Sequence, residues 1–585
     1  MSNNLKNLKS IMFFDYIVVL RIRGNNYIVF FLFGLAAGIA GLCLSIFLKL
    51  TINGLFIPEI ASQGLISITS GEIESQAVLT LGPLAKYSTF IGATVANILL
   101  WGIIGIILGK LFLKMKSPHY VIKSILSTFI SYLILIVLAI VFLVLSTTPG
   151  QSVSIPVNSF LLFILPSAAY GLIFAFLFGS KNKDKKIDVV EIPNNNISGG
   201  DVTNKSKSNK TSDIDYNKRD MIRALIISAI AIPLVYFGFN RLLSGSGQQQ
   251  KLRPQALDKS IQQVLQSKSK PPGFENPLLT PLVDAEVTPT YIFYRIDINT
   301  VIPTIDAKDW NLTIKGLVDN PVVINYTDLR GMNSIEEFAT LTCISNKIGG
   351  NLVSTALWKG VRLRDILSKA GVKSSVKYIV FRCSDGYDVG IPLENGMMDG
   401  TILAYDMNKS PLPSEHGYPV RAIVPGFYGM MNPKWITEIE LVDKTYEGFW
   451  QRKGWTNNGI KNIYSSIVIP GNQPIDDRFP NLVPNSSFLN SKNIPIAGIA
   501  FAGDRGISKV EVSVDGGTTW KTAMVNDPLS QYTWVLWTSG FTDADKGDYK
   551  IIVRATDKTG QVQTSELEEP FPSGAGGYNQ VNISV

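Results

Sequence analysis

Apolar residues run almost unbroken through five stretches of the first 240 positions, and alternating patterns replace them from about residue 285 onward. The stretches at roughly 27–48, 88–113, 122–145, 160–179 and 221–240 are each long enough to cross a bilayer, which predicts five spans. Lys6, Lys9, Arg21 and Arg23 precede the first, and Lys110, Lys114, Lys116 and Lys123 lie at or near the turn between the second and third. The intervening loop 50–86 carries Glu59, Glu72 and Glu74 against a single Lys86, and 146–159 is uncharged. Placing the basic segments in the cytoplasm puts the N-terminus and the segment 181–219 inside, and everything after the fifth span outside. The first span has no small-residue cleavage pattern close behind it and reads as an anchor. Ahead of the fifth span, "YNKRDMIRALII" has the look of a weakened twin-arginine export signal, or of ordinary flanking charges.

These patterns divide the chain into a region 1–180 with four spans, a linker 181–219 and a fifth span at 220–241. A soluble domain over 250–465 and a second over 466–585 follow. The linker is rich in Lys, Asn and Ser and poor in large apolar residues, so it is predicted to be disordered. In the first soluble domain "WNLTIKGLV" and "KYIVFRCS" alternate as strands, and "VRLRDILSKAG" reads as a short amphipathic helix closed by Gly371. The combination predicts an α+β domain. In the last stretch "ISKVEVSVDGGTTWKTAMV" sets Val510, Val512 and Val514 on one face and turns at Asp515–Gly517. Further short alternating strands predict an all-β sandwich.

Composition sharpens this picture in three places. The net charge of +8 is concentrated in residues 1–250, where 21 Lys and Arg face 11 Asp and Glu, so it flanks apolar spans and does not mark a nucleic-acid partner. Three cysteines cannot build a disulfide framework, and Cys43 and Cys383 fall in apolar or strand-like surroundings suited to buried packing. There are two histidines, and His119 sits in a polar loop, so no haem is expected between the spans.

The remaining cysteine, Cys343, stands in "FATLTCISNKIGG" and is followed in order by "ALWKGVRLRDIL", "DGYDVGIPLENG", "LAYDMNKSPLPSEHGYPVRAIVPGFYGMMNPKW" and "GFWQRKGW". Together these motifs resemble the molybdopterin-binding domain of the sulfite oxidase family, over roughly 285–585. The resemblance implies a molybdenum–molybdopterin cofactor with Cys343 as the metal ligand and catalytic centre, and an immunoglobulin-like domain over 466–585 that often mediates dimers. A soft thiolate suits molybdenum, and a strand end followed by a Gly-containing loop can face a cleft. It also assigns His416, Arg421 and Lys434 to the cofactor, whose phosphate calls for cations in fixed positions, and places Tyr294 and Arg295 beside the pterin. Trp358 and Trp435 read as packing, and Asp385 as a turn residue.

Two departures bear on the substrate. True sulfite oxidases follow the cysteine with a basic pair, where this chain has "CISNK" with Lys347 as the one nearby cation; and "QRKGW" sets Trp455 where the family carries a tyrosine. A less charged substrate than sulfite is therefore expected. The reading as a whole is a membrane-anchored, extracytoplasmic oxidoreductase that moves an oxygen atom to or from a small substrate. Its expected partners are membrane lipid, an external cytochrome or copper protein as electron carrier, and a second copy of itself. Competing readings are a membrane sensor or transport-associated protein with an outer binding module, and a cofactor-free domain that kept the fold. The spans hold few ionisable groups, which disfavours transport.

Overall fold

The computed structural model describes residues 26–52, 54–115, 119–146, 160–179, 218–243, 257–471, 493–541 and 544–585. The basic N-terminal segment, Lys116 and the linker predicted up to residue 217 lie outside these. The chain divides into two compact units. One comprises Met1–Ile60, Gly92–Val141 and Ser154–Arg241, the other Ala61–Ile91, Phe142–Val153 and Leu242–Val585.

The first unit is helical. Four helices that extend into it, containing Tyr27–Ile52, Tyr87–Lys114, Tyr120–Leu145 and Met221–Leu242, are long and apolar enough to span a membrane. The segment predicted at 160–179 forms the shorter helix Ile164–Gly179 of 16 residues, about 24 Å at 1.5 Å per residue and so less than the ~30 Å hydrocarbon core. Glycines let these helices approach closely, since a Cβ on Gly105 would lie 2.4 Å from the Phe30 carbonyl oxygen. Tyr170, Phe174 and Phe178 stack one turn apart on the short helix. Apolar side chains such as Ile107, Phe129 and Phe237 stay exposed on these helices.

The second unit is rich in strands. In one five-stranded sheet the order is Val322–Asn325, Asn311–Gly316, Ile436–Val442, Tyr378–Cys383 and Asp388–Pro392, with Asn311–Gly316 parallel to Ile436–Val442 and the other pairs antiparallel. A second sheet pairs Ser334–Thr342, Val353–Arg362, Ile402–Met407 and Ser410–Pro411, with Arg421–Ile423 added against Ile402–Met407. Both contribute to one core, Leu312, Ile314 and Ile439 from the first meeting Val361, Leu403 and Ala422 from the second. The predicted amphipathic helix is Leu363–Ala370, which buries Leu363, Ile366, Leu367 and Ala370 at helical spacing. Gly371 ends it at φ 70°, where a side chain would also strike Asp319. Beyond residue 463, two four-stranded antiparallel sheets share a separate core in which Trp534, Trp537, Val510 and Val512 are buried. The turn after Val514 is held by Asp515, which accepts from the amides of Thr518 and Thr519.

Candidate active site

Cys343 directly follows the strand Ser334–Thr342, and its alternation ends there because the chain turns. The Cys343 amide donates to Leu352 O at 2.9 Å, the Asn346 amide donates back to Cys343 O at 3.1 Å, and Asn346 Oδ1 accepts from Leu352 N at 2.9 Å. The loop is thus closed on itself and Cys343 lines a cleft. Burial pushes that thiol up, so it needs a bound cation to hold it as a thiolate.

Every residue predicted for the site lines this cleft: Tyr294, Arg295, His416, Arg421 and Lys434 stand with Cys343. Arg421 opens the strand Arg421–Ile423, donates to His416 O (3.1 Å) and Asn432 O (3.2 Å), and lies 5.0 Å over the Trp358 ring. Burial lowers its guanidinium to about 10. His416 closes the 3₁₀ turn Ser414–His416, and its Nε2 is 3.1 Å from Thr290 O. A carbonyl oxygen only accepts, so Nε2 carries the hydrogen and Nδ1 is left as an acceptor. Burial, then the charges of Lys434 and Arg421, bring this imidazole down to about 3, so it is neutral. Lys434 is lowered to about 8 by burial, against the pull of Asp297.

Asp297, which no motif singles out, ties the group together. Its carboxylate pairs with Lys434 and accepts from Arg295 Nε at 2.6 Å while itself 1% exposed. Its signal was only a place in the segment "YRIDIN". Asp385 and Trp435, read as turn and packing residues, also line the cleft, and Trp435 is 1% exposed. Asp385 does accept the Tyr387 amide, as a turn aspartate would, but burial holds its carboxyl up at about 7. Trp435 adopts φ 55°, an uncommon conformation for a bulky residue. Trp358 is fully buried core, as read. Trp455 lines the cleft as its motif position implied, whereas Lys347 is exposed and is not part of the lining. The least foreseeable wall comes from the helix Gly71–Leu81, which supplies Glu74, Ser75 and Val78.

The donor set fits an anionic dithiolene cofactor. Three cationic side chains gather around the Asp297 carboxylate, and Arg421 Nε and Arg295 Nη2 are buried without a hydrogen-bond partner. Unpaired buried donors beside surplus positive charge call for an anion with several acceptor oxygens.

The comparisons with known proteins agree with this chemistry. Residues 299–450 match the family described as oxidoreductase molybdopterin binding domain, and residues 477–569 the Mo-co oxidoreductase dimerisation domain. An uncharacterized oxidoreductase of Bacillus subtilis, YuiH, is 32% identical over 154 residues, covering 26% of this chain and 76% of that protein. Mitochondrial sulfite oxidase of Mus musculus is 28% identical over 345 residues, 53% of this chain and 63% of the relative. NADH nitrate reductase of Hordeum vulgare is 28% identical, over 51% of this chain and 38% of its own length. Among solved structures, sulfane dehydrogenase SoxCD from Paracoccus pantotrophus aligns at 24% identity and a TM-score of 0.42, covering 55% of this chain and 86% of that one. The chain belongs to the molybdopterin-binding oxidoreductases of the sulfite oxidase family, and its cofactor is molybdenum–molybdopterin. It spans less than two thirds of the length of the sulfite oxidase and nitrate reductase relatives cited.

Proposed function

We propose that this protein is a membrane-anchored, extracytoplasmic molybdenum oxidoreductase acting on a small substrate by the balance substrate + H₂O ⇌ oxygenated substrate + 2 H⁺ + 2 e⁻. The observation that carries it is a cysteine at a strand end lining the same cleft as three cations, two of which, Arg421 and Arg295, keep an unpartnered buried N–H. When bound, the cofactor supplies the two-electron redox change and the oxygen-transfer site. The chain's own residues hold and shape. Cys343 would be the thiolate ligand, and Arg421, Lys434 and Arg295 would neutralise the cofactor's phosphate and pterin acceptors. His416 fixes its ring by donating to Thr290 O, and Tyr294 would line the pterin. Asp297 bridges Lys434 and Arg295 and orients both, a positioning role.

Electrons leave or arrive one at a time through an external cytochrome or copper protein. The chain's two histidines include one committed to the cleft, which leaves no axial pair for a haem. The immunoglobulin-like sandwich at the C-terminal end forms a homodimer, a reading supported by the match to a dimerisation domain. Location outside the cytoplasm is supported by the charge pattern and by the loop residues 61–91, which belong to the same compact unit as the oxidoreductase domain. Protein purified from cofactor-producing cells should contain about one molybdenum atom per chain and turn over with an artificial electron acceptor or donor in a screen of sulfite and sulfoxides. Molybdenum well below that ratio would overturn the proposal.

A further inference from the structure

The helix Gly71–Leu81 belongs to the loop between the first two apolar helices, yet three of its residues form part of the cleft that holds Cys343. Its seat is specific. Lys453 donates to Thr69 O at 2.7 Å and to Glu74 Oε1 at 3.0 Å, and also to Ile66 O, across 379 residues of sequence in the case of Glu74. Gly71 lies so close to Trp455 that a Cβ there would come within 2.7 Å of the indole nitrogen. Ser70 caps the helix by accepting from Ile73 N, so the first turn is fixed at the cleft.

Three polar atoms in this wall are buried without a hydrogen-bond partner: Glu74 Oε2, Ser75 Oγ and Trp455 Nε1. Ser75 is 2% exposed and Trp455 4%. Each unsatisfied buried group has a free-energy cost that a guest of matching polarity removes. The three residues line one cleft, and their unpaired atoms are two donors, the serine hydroxyl and the indole N–H, and one carboxylate oxygen. The donors suit an oxygen with lone pairs, and the carboxylate disfavours a guest that is itself negative. Burial, opposed by Lys453, holds the Glu74 carboxyl up at about 7, so a dianion entering here would have to force its protonation or lie against its charge.

Resting on the oxidoreductase reading above, we propose that Glu74, Ser75 and Trp455 form a substrate-recognition subsite. It takes a small uncharged molecule whose transferable oxygen accepts hydrogen bonds, the sulfoxide class, and excludes oxyanions such as sulfite. Val78 supplies the apolar side of the same wall.

The test uses the full-length, molybdenum-loaded protein with dimethyl sulfoxide and sulfate as probes, titrated by indole fluorescence and by calorimetry. Wild type should bind sulfate at least ~10-fold more weakly than dimethyl sulfoxide. Ser75→Ala, which removes one hydroxyl and no charge, should weaken dimethyl sulfoxide about 3- to 10-fold and leave sulfate unchanged. Glu74→Gln keeps an oxygen for Lys453 and should tighten sulfate by roughly 10-fold at unchanged molybdenum content. Sulfate binding to wild type as tightly as dimethyl sulfoxide, or affinities unmoved by Ser75→Ala, would overturn the subsite. Molybdenum missing from wild type would overturn the oxidoreductase reading itself, whereas full loading with unaltered titrations removes the subsite alone.

Discussion

Arg421→Met separates the cost of keeping a cation buried from the use made of it. In the protein without cofactor, burial brings the guanidinium from its ordinary 12.5 down to about 10, a destabilisation of roughly 3 kcal/mol at about 1.4 kcal/mol per unit. Methionine removes that cost and keeps most of the volume over Trp358. The same substitution strips a charged donor from His416 O and from Asn432 O, each worth about 1–3 kcal/mol. The two effects largely offset each other, so urea unfolding of cofactor-free protein should shift by no more than about 3 kcal/mol. Loading behaves differently. A phosphate deprived of its buried guanidinium partner loses about 2–5 kcal/mol, or roughly 30- to 5,000-fold in affinity. Metal analysis and pterin fluorescence on the same preparations would therefore show an intact fold with little cofactor. Full loading of the variant would remove Arg421 from the cofactor site. A collapse of the cofactor-free fold would show that its bonds to the two carbonyls outweigh its burial.

Cys343→Ser should abolish turnover while thermal unfolding of the cofactor-free domain stays within about 1 kcal/mol, because the pocket keeps its shape and loses only the soft donor; wild-type turnover would refute the ligand assignment. His416, depressed to about 3, binds fewer protons folded than unfolded, so its contribution to stability is lost as pH falls from about 6.5 toward 3, at up to about 1.4 kcal/mol per pH unit. Asp385, raised to about 7, acts in the opposite sense below that pH. His416→Gln should therefore flatten the acid limb of a urea-midpoint profile of cofactor-free protein, and an unchanged limb would count against a neutral buried imidazole. Replacing Lys218 and Arg219 with Gln should retain the domain from about 250 onward inside the cell while the earlier spans insert, as read by protease accessibility of cells. An inaccessible wild-type domain refutes the topology, and normal export of the double variant refutes only a folded-export route.

What the sequence determined by itself is what local physics controls. Continuous apolar runs of helix-forming residues produced helices long enough to cross a membrane; period-2 and period-3.6 patterns placed Val510 and Val512 inward and built Leu363–Ala370. The ordered motifs around Cys343, His416, Arg421 and Lys434 were legible as a family pattern, and the four residues line one cleft. The length of Ile164–Gly179 was not legible, since hydropathy reports an apolar run but not where the helix begins. Tertiary structure alone decided which charges face each other. Asp297 became the shared partner of Arg295 and Lys434, Lys347 turned outward, and the Nε2–H form of His416 followed from the position of Thr290 O. The meeting of Glu74 with Lys453 has no trace in either local pattern. Ion pairing and desolvation depend on distances of a few ångströms in space, and no periodicity along the chain encodes a neighbour 379 residues away.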